Sequence, residues 1–290
     1  MTPPLPLLQT TRLGDWTVHL IQAGGQQLDG GAMFGIVPKP LWSRRITADE
    51  RNRIPMGMRT MLVEHESGLI LVDTGAGNKE PDKFYDIYGI EPAGKAGFSH
   101  LEAGIRAAGH APADVRLVLN THLHFDHAGG NTFVDEQGRV RPSFPNARYV
   151  VQKGEYHYAT HTNERTAGSY FDHNFVPLAE AGLFDFVEGD VEIVKGIYLR
   201  RSPGHVPHHQ SVFLAGSTPA MFLADVIPTA HHIPLAWIMG YDVEPLLTLA
   251  SKKRILAEAL TEQWTLVFEH DAHTATGKVA HDGKGYALAV

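Results

Sequence analysis

Thr121-His122-Leu123-His124-Phe125-Asp126-His127-Ala128-Gly129-Gly130-Asn131 sets three imidazoles and one carboxylate within the six positions from His122 to His127. Imidazole nitrogen and carboxylate oxygen are the ordinary protein ligands of zinc and related divalent ions. Crowded together in a core, such groups are costly unless each finds a partner, so a metal ion explains this density better than packing does. Just upstream, Val115-Arg116-Leu117-Val118-Leu119 predicts a short buried strand. The histidine run therefore sits in the loop leaving a strand, where α/β sheets collect their chemistry.

The same arrangement recurs along the chain. Leu69-Ile70-Leu71-Val72 runs into Asp73, and Ile197-Tyr198-Leu199 leads through Ser202-Pro203-Gly204 to His205. Met221-Phe222-Leu223-Ala224 ends at Asp225, and Leu266-Val267-Phe268 leads to Glu269 and His270. Strand ends in one sheet layer can converge on one edge, which would bring these distant residues into a single site.

Around this frame, strand-like runs alternate with helical ones, the pattern of a layered α/β domain. Trp16 to Ile21 reads as an early strand, and Thr60 to Val72 as a hairpin turning at Ser67-Gly68. Gly75 to Gly97, rich in Gly, Pro and Lys, reads as a long loop. Ser99 and Glu102 form a capping box for a helix whose inner face is Leu101, Ile105 and Ala108 and which Gly109 ends. A second helix spans Pro245 to Leu260, with Leu246, Leu249, Ile255 and Leu256 on its buried side. Lys252-Lys253-Arg254 on that helix reads as a solvated face.

The 290 residues are 43% apolar and 20% charged, as in a soluble globular domain. A net charge of −7 argues against binding a phosphate backbone. No apolar run reaches the length of a membrane span, and the first residues lack the basic and apolar regions of a secretory signal. With no cysteine, any metal must be held by nitrogen and oxygen. That composition fits a cytoplasmic protein with a small-molecule substrate and neither nucleic acid nor membrane as partner. The 18 histidines exceed what packing requires. Of these, His157, His161 and His173 read as surface residues.

His122-x-His124-x-Asp126-His127 resembles the signature of the metallo-β-lactamase superfamily. Asp73-Thr74-Gly75, Ser202-Pro203-Gly204-His205, Ala224-Asp225 and Glu269-His270-Asp271 resemble its other elements, in the family's order. The resemblance implies a four-layer αββα sandwich formed by residues 1–290 as one hydrolase domain, with 1–45 an N-terminal strand and a pocket or dimer arm. It also implies two divalent ions, zinc foremost, with iron, manganese or cobalt compatible with the same donors. His122, His124 and His205 would hold the first, and Asp126, His127 and His270 the second. Asp225 would bridge them opposite a shared water or hydroxide. In this reading His270 is preferred to His273, Asp126 helps manage the hydroxide proton, and Asp73 and His209 support the ligands from behind.

Missing cysteine ligands, helical extensions and flavin or nucleic-acid domains leave the branch that resembles acyl-homoserine lactone lactonases and methyl parathion hydrolase. The expected activity is a quorum-quenching type of lactonase or arylesterase, with the bridging hydroxide attacking a lactone or ester carbonyl. Organophosphate triesterase, β-lactamase and an inert metal-binding module are the alternatives, and family analogy implies a homodimer. The segment from Leu28 to Gly35, with Trp42, resembles the pocket arm. Expected pocket residues are Met33, Phe34, Trp42, His231, His232, Tyr170 and Tyr241, with His208 facing substrate or solvent. Small lactonases carry a tyrosine three residues after the bridging aspartate. Here that position is Pro228, leaving Tyr170 or Tyr241 as substitute donors.

Overall fold

The computed structural model describes residues 6–90 and 99–289. One sheet has seven strands, ordered Leu8–Leu13, Trp16–Asp29, Arg53–His65, Gly68–Val72, Val115–Leu119, Arg148–Gln152 and Phe184–Val187. The first four pair antiparallel, and from Gly68–Val72 onward the pairs are parallel. A second sheet of six runs Val191–Val194, Ile197–Arg201, Gln210–Leu214, Ala220–Phe222, Thr265–Val267 and Thr276–Gly277. Its one parallel pair is Ala220–Phe222 with Thr265–Val267.

Side-chain alternation turns the two sheets into four layers. Ile70 and Val72 point between the sheets and meet Ile197, Leu199, Val212 and Phe222. Leu69 and Leu71 point the other way, under Leu101 and Ile105 of the helix His100–Ala107. On the outer face of the second sheet, Met221 and Leu266 pack with Ile255, Leu256 and Ala259 of the helix Pro245–Glu262. Each such aliphatic side chain contributes about 1.5–3 kcal/mol by leaving water, so the layers are held by these contacts. The result is the expected αββα sandwich. Among the described residues, no helix is long and apolar enough to cross a membrane.

Several local expectations change. The hairpin pairs His65 with Gly68, so its turn is Glu66-Ser67, one residue early. The expected loop from Gly75 contains a helix, Asp82–Tyr88, closed by Gly89 in the left-handed region at φ 57°; residues 91–97 of it lie outside the described residues. Apolar Phe84 and Tyr88 in that helix pack on Phe125, with ring centroids 4.9 and 4.8 Å apart, a tertiary pull that Gly- and Pro-rich flanks hide from local reading. Ser99 caps its helix as expected, accepting from the Glu102 N–H at 3.1 Å.

The long helix corrects the sequence reading more deeply. Leu246 is 79% exposed, while Thr248, Ser251 and Lys252 are buried with Ile255, Leu256 and Ala259. Lys252 is no solvated residue. Its Nζ donates to the carbonyl oxygens of His232 and Trp237 at 2.7 Å and of Pro234 at 3.0 Å. Burial pulls its pKa down and Asp242 opposes this; the carbonyl cage favours the ammonium as well.

Candidate metal centre

The five strand ends do converge. Asp73 directly follows Gly68–Val72 in the left-handed region at φ 53°, a conformation that Asp tolerates better than most residues. Its carboxylate accepts from Thr121 N at 2.8 Å and Thr121 Oγ1 at 2.6 Å, tying the first strand end to the histidine loop. Gly130 follows that loop because a Cβ there would stand 2.2 Å from the Thr74 carbonyl oxygen. At the third end, Gly204 (φ 139°) leaves room for the start of the long helix, since a Cβ would come 2.1 Å from Thr248 N. Asp225 follows Ala224, which is held at φ 47°, a strained state for an alanine that the surrounding packing must enforce.

Within this edge, donor atoms of His122, His124, His205 and Asp225 gather within 4.8 Å of one another, and so do those of Asp126, His127 and His270. Asp225 stands between the groups. Its Oδ2 is 3.0 Å from His205 Nε2 and its Oδ1 is 2.9 Å from His270 Nε2. His205 Nε2 lies 3.1 Å from His124 Nδ1, and His270 Nε2 lies 3.2 Å from His127 Nε2.

The far nitrogens of four of these rings, His122, His127, His205 and His270, are occupied. His205 Nδ1 pairs with Asp242 Oδ1 at 2.9 Å, and Asp242 in turn accepts from Thr248 Oγ1 at 2.6 Å. His270 Nδ1 donates to the Gly57 carbonyl at 2.8 Å, and His127 Nδ1 faces Asp73 and Glu269, each at 3.1 Å. His122 Nδ1 lies 3.2 Å from Thr121 Oγ1. Such pairing leaves the Nε2 lone pairs of His122, His127, His205 and His270 aimed inward, a supported orientation typical of metal-bound histidines, while His124 presents Nδ1. Meanwhile His122 Nε2 and Asp225 Oδ1 are buried and make no hydrogen bond. Unpartnered lone pairs at the centre of a histidine and carboxylate cluster fit divalent ions.

Electrostatics follow from the crowding. Burial and neighbouring imidazoles push His122 and His124 well below the usual histidine range. Burial also opposes charge on His270, yet Asp225 outweighs it and lifts that ring to about 9. Behind His127, burial raises Glu269 to about 8.

Other expected site residues divide clearly. His209 sits behind the centre: its Nε2 accepts from Asp225 N at 3.3 Å and its Nδ1 lies 2.8 Å from Ser202 Oγ. A cavity of about 150 Å³ opens onto His124, Asp126, His205, Asp225 and His270, with Met33 and Tyr241 on its wall. Phe34, Trp42, His231, His232 and Tyr170 are not on that wall. Phe34 stacks between Trp42 and His232, and His232 Nε2 donates to the Met33 carbonyl at 2.8 Å. These rings brace Met33 from behind, because an apolar arm needs its own small core. His231 is partly buried beside Asp271. Tyr170 turns its hydroxyl to Glu155 Oε1 at 2.9 Å, with its ring against His124. His208 packs on Gly154, where a Cβ would meet its ring at 2.4 Å. His157 and His161 are exposed, and half-buried His173 pairs with Glu80 at 2.6 Å.

Sequence reading missed several participants. Gln26 Nε2 donates to Asp126 Oδ2 at 2.8 Å. Glu155, wholly buried, accepts from Leu123 N at 3.1 Å and so holds the histidine loop. Asp242 orients His205, and Tyr88, Phe125, Arg165 and Met239 line the cavity. Apart from Phe125, which lies within the histidine loop, each reaches the centre from an element remote in sequence and carries no local signal.

A two-sheet αββα sandwich with a histidine and carboxylate cluster at its strand ends defines a metallo-β-lactamase type of protein. The family model described as metallo-beta-lactamase superfamily matches residues 59–270, and the chain belongs to that superfamily. An N-acyl homoserine lactonase from a Bacillus species is 31% identical over 227 residues, covering 74% of this chain and 82% of the relative. A crystal structure of a probable metal-dependent hydrolase from Staphylococcus aureus is 32% identical with a TM-score of 0.85, covering 96% of this chain and 99% of that one. An N-acyl homoserine lactone hydrolase, with the product N-hexanoyl-L-homoserine at its catalytic metal center, is 25% identical with a TM-score of 0.66, covering 90% and 94%.

Proposed function

We propose that this chain, as a single hydrolase domain, is a dinuclear metal-dependent lactonase, with N-acyl homoserine lactones as its substrate class. The observation that carries the reading is Asp225, whose two oxygens face two separate histidine groups at 3.0 and 2.9 Å. In it, His122, His124 and His205 would hold one ion and Asp126, His127 and His270 the other, with Asp225 placed to serve both. Two divalent ions so held supply Lewis acidity and a water activated near neutral pH. Zinc suits the all-nitrogen and oxygen donor set, as do iron, manganese and cobalt.

The chain's own residues do the rest. Leu28, Met33, Phe125, Met239 and Val243 give the cavity apolar walls for an acyl chain, and Thr166, Ser169 and Arg165 offer polar groups to an amide. Asp126, steadied by Gln26, lines the cavity as an acceptor for the proton of an attacking water. Pro228 brings no hydroxyl, and its carbonyl accepts from His270 N at 3.0 Å. Tyr88 and Tyr241 on the cavity wall are then the tyrosines available to polarise a substrate carbonyl.

The test is a panel of an acyl-homoserine lactone, an aryl ester, paraoxon and a chromogenic β-lactam, each with and without chelator. Chelator-sensitive opening of the lactone, restored by zinc, supports the proposal. Preference for paraoxon or the β-lactam would replace it with the corresponding activity, and inertness of metal-loaded protein toward all four would overturn it.

A further inference from the structure

Far from the converged strand ends, a second group of donors stands on the helix-covered face of the first sheet. His19, Glu64 and His110 offer ligand atoms that lie within 4.8 Å of one another. His19 comes from the strand Trp16–Asp29, Glu64 from Arg53–His65, and His110 follows Gly109 at the end of the helix His100–Ala107. Glu64 pairs with Leu69, four residues before Asp73, which places the group roughly 13 Å along the strand from the main centre.

We propose that His19, Glu64 and His110 form a separate site for a zinc-class divalent ion. Ligands about 2.0–2.1 Å from a tetrahedral ion stand about 3.3 Å apart. Glu64 Oε1 is 3.0 Å from His19 Nε2 and 3.6 Å from His110 Nε2, on either side of that spacing. His19 is buried and its ring is already set, since Nδ1 lies 2.9 Å from Thr10 Oγ1 directly across the strand pair. That leaves Nε2 for the ion and gives it the supporting partner that metal-bound histidines have. The hydrogen bond from His19 holds the Glu64 carboxyl below its usual range, in the ionised form that binds metal. Half-exposed His110 and exposed Glu64 leave open positions for water, so the site has the two-histidine, one-carboxylate character of an accessible centre. It is independent of the lactonase reading.

Equilibrium dialysis of the full chain against buffered free zinc, with metal counted by plasma mass spectrometry, tests it. Wild-type protein is expected to take up one equivalent more than either His110→Ala or Glu64→Gln, with hydrolytic activity equal in all three. Thr10→Val is expected to keep that equivalent but bind it about 10- to 100-fold more weakly. Equal zinc uptake by wild type and both ligand variants at every free-zinc level would overturn the site, whatever the main centre holds. Wild-type zinc affinity in Thr10→Val would overturn the orienting role given to the Thr10 contact with His19.

Discussion

The backbone N–H of Asp225 donates to His209 Nε2 at 3.3 Å, so His209 must carry its proton on Nδ1 and pass it toward Ser202 Oγ at 2.8 Å. Ser202 lies 2.8 Å from Ser211 Oγ, which donates to the Leu223 carbonyl at 3.2 Å. Burial, helped by nearby His205, holds His209 near a pKa of about 3 and therefore neutral. A neutral ring in a chain of one-way hydrogen bonds fixes the bend that presents the Asp225 carboxylate.

His209→Ala is expected to leave the Asp225 amide unpaired in a buried place. Losing that partner costs about 1–3 kcal/mol and weakens metal affinity about 10- to 100-fold. Chemical denaturation and a zinc competition titration measure the two effects. Wild-type affinity in this variant would contradict the role assigned to His209.

Lys252 holds the segment that carries Met239 to the cavity. Lys252→Met is expected to cost about 3 kcal/mol or more, because several buried carbonyls lose their donor. With the segment from Thr229 to Trp237 loosened, KM should rise more than kcat falls. Unchanged stability would mean that water replaces the ammonium without penalty.

Glu155 gives a pH signature. Burial lifts its carboxyl to about 7, while Leu123 N and Tyr170 OH pull the other way. An acid raised in the folded state favours folding most at low pH, and that advantage is lost as pH rises from its unfolded value toward 7. Glu155→Gln keeps an acceptor for Leu123 and Tyr170 without a charge. In metal-free protein, its stability relative to wild type should therefore climb by about 3 kcal/mol between about pH 4.5 and pH 8. A flat difference across that window in urea titrations would refute the buried-acid reading.

The tyrosines around the centre separate by role, with Tyr170 behind the cavity wall and Tyr88 and Tyr241 on it. Tyr170→Phe is expected to cost about 1–2 kcal/mol of stability, by removing a donor from Glu155, with kcat little changed. Tyr88→Phe or Tyr241→Phe should instead lower kcat about 10-fold or more in whichever ring reaches the substrate carbonyl. Steady-state kinetics on a lactone decide this, and full kcat in both variants would leave carbonyl polarisation without a tyrosine.

Much of the centre was legible because its donors sit at or just after strand ends, where near-continuous apolar runs stop and polar residues begin. His122, His205, Asp225 and His270 all announce themselves in this way. The cavity wall was less legible. Phe34 and Trp42 carry the same apolar signal as Met33, and only the three-dimensional packing puts Met33 on the cavity and the other two behind it. Lys252 shows the limit most sharply, since a basic run on a helix reads as solvated unless the carbonyls of a distant loop are known. Asp242 and Glu155 were hidden for the same reason, being joined to the histidines only through tertiary contacts.

The central claim, that Asp225 joins two metal ions, is tested most directly by X-ray absorption spectroscopy of zinc-loaded protein. His110→Ala should be the parent, so that the distal donors do not contribute. The account predicts metal–metal scattering at about 3.5–4 Å that disappears in the Asp225→Ala derivative. A spectrum of isolated ions with no metal neighbour in the parent, at full zinc loading, would contradict it.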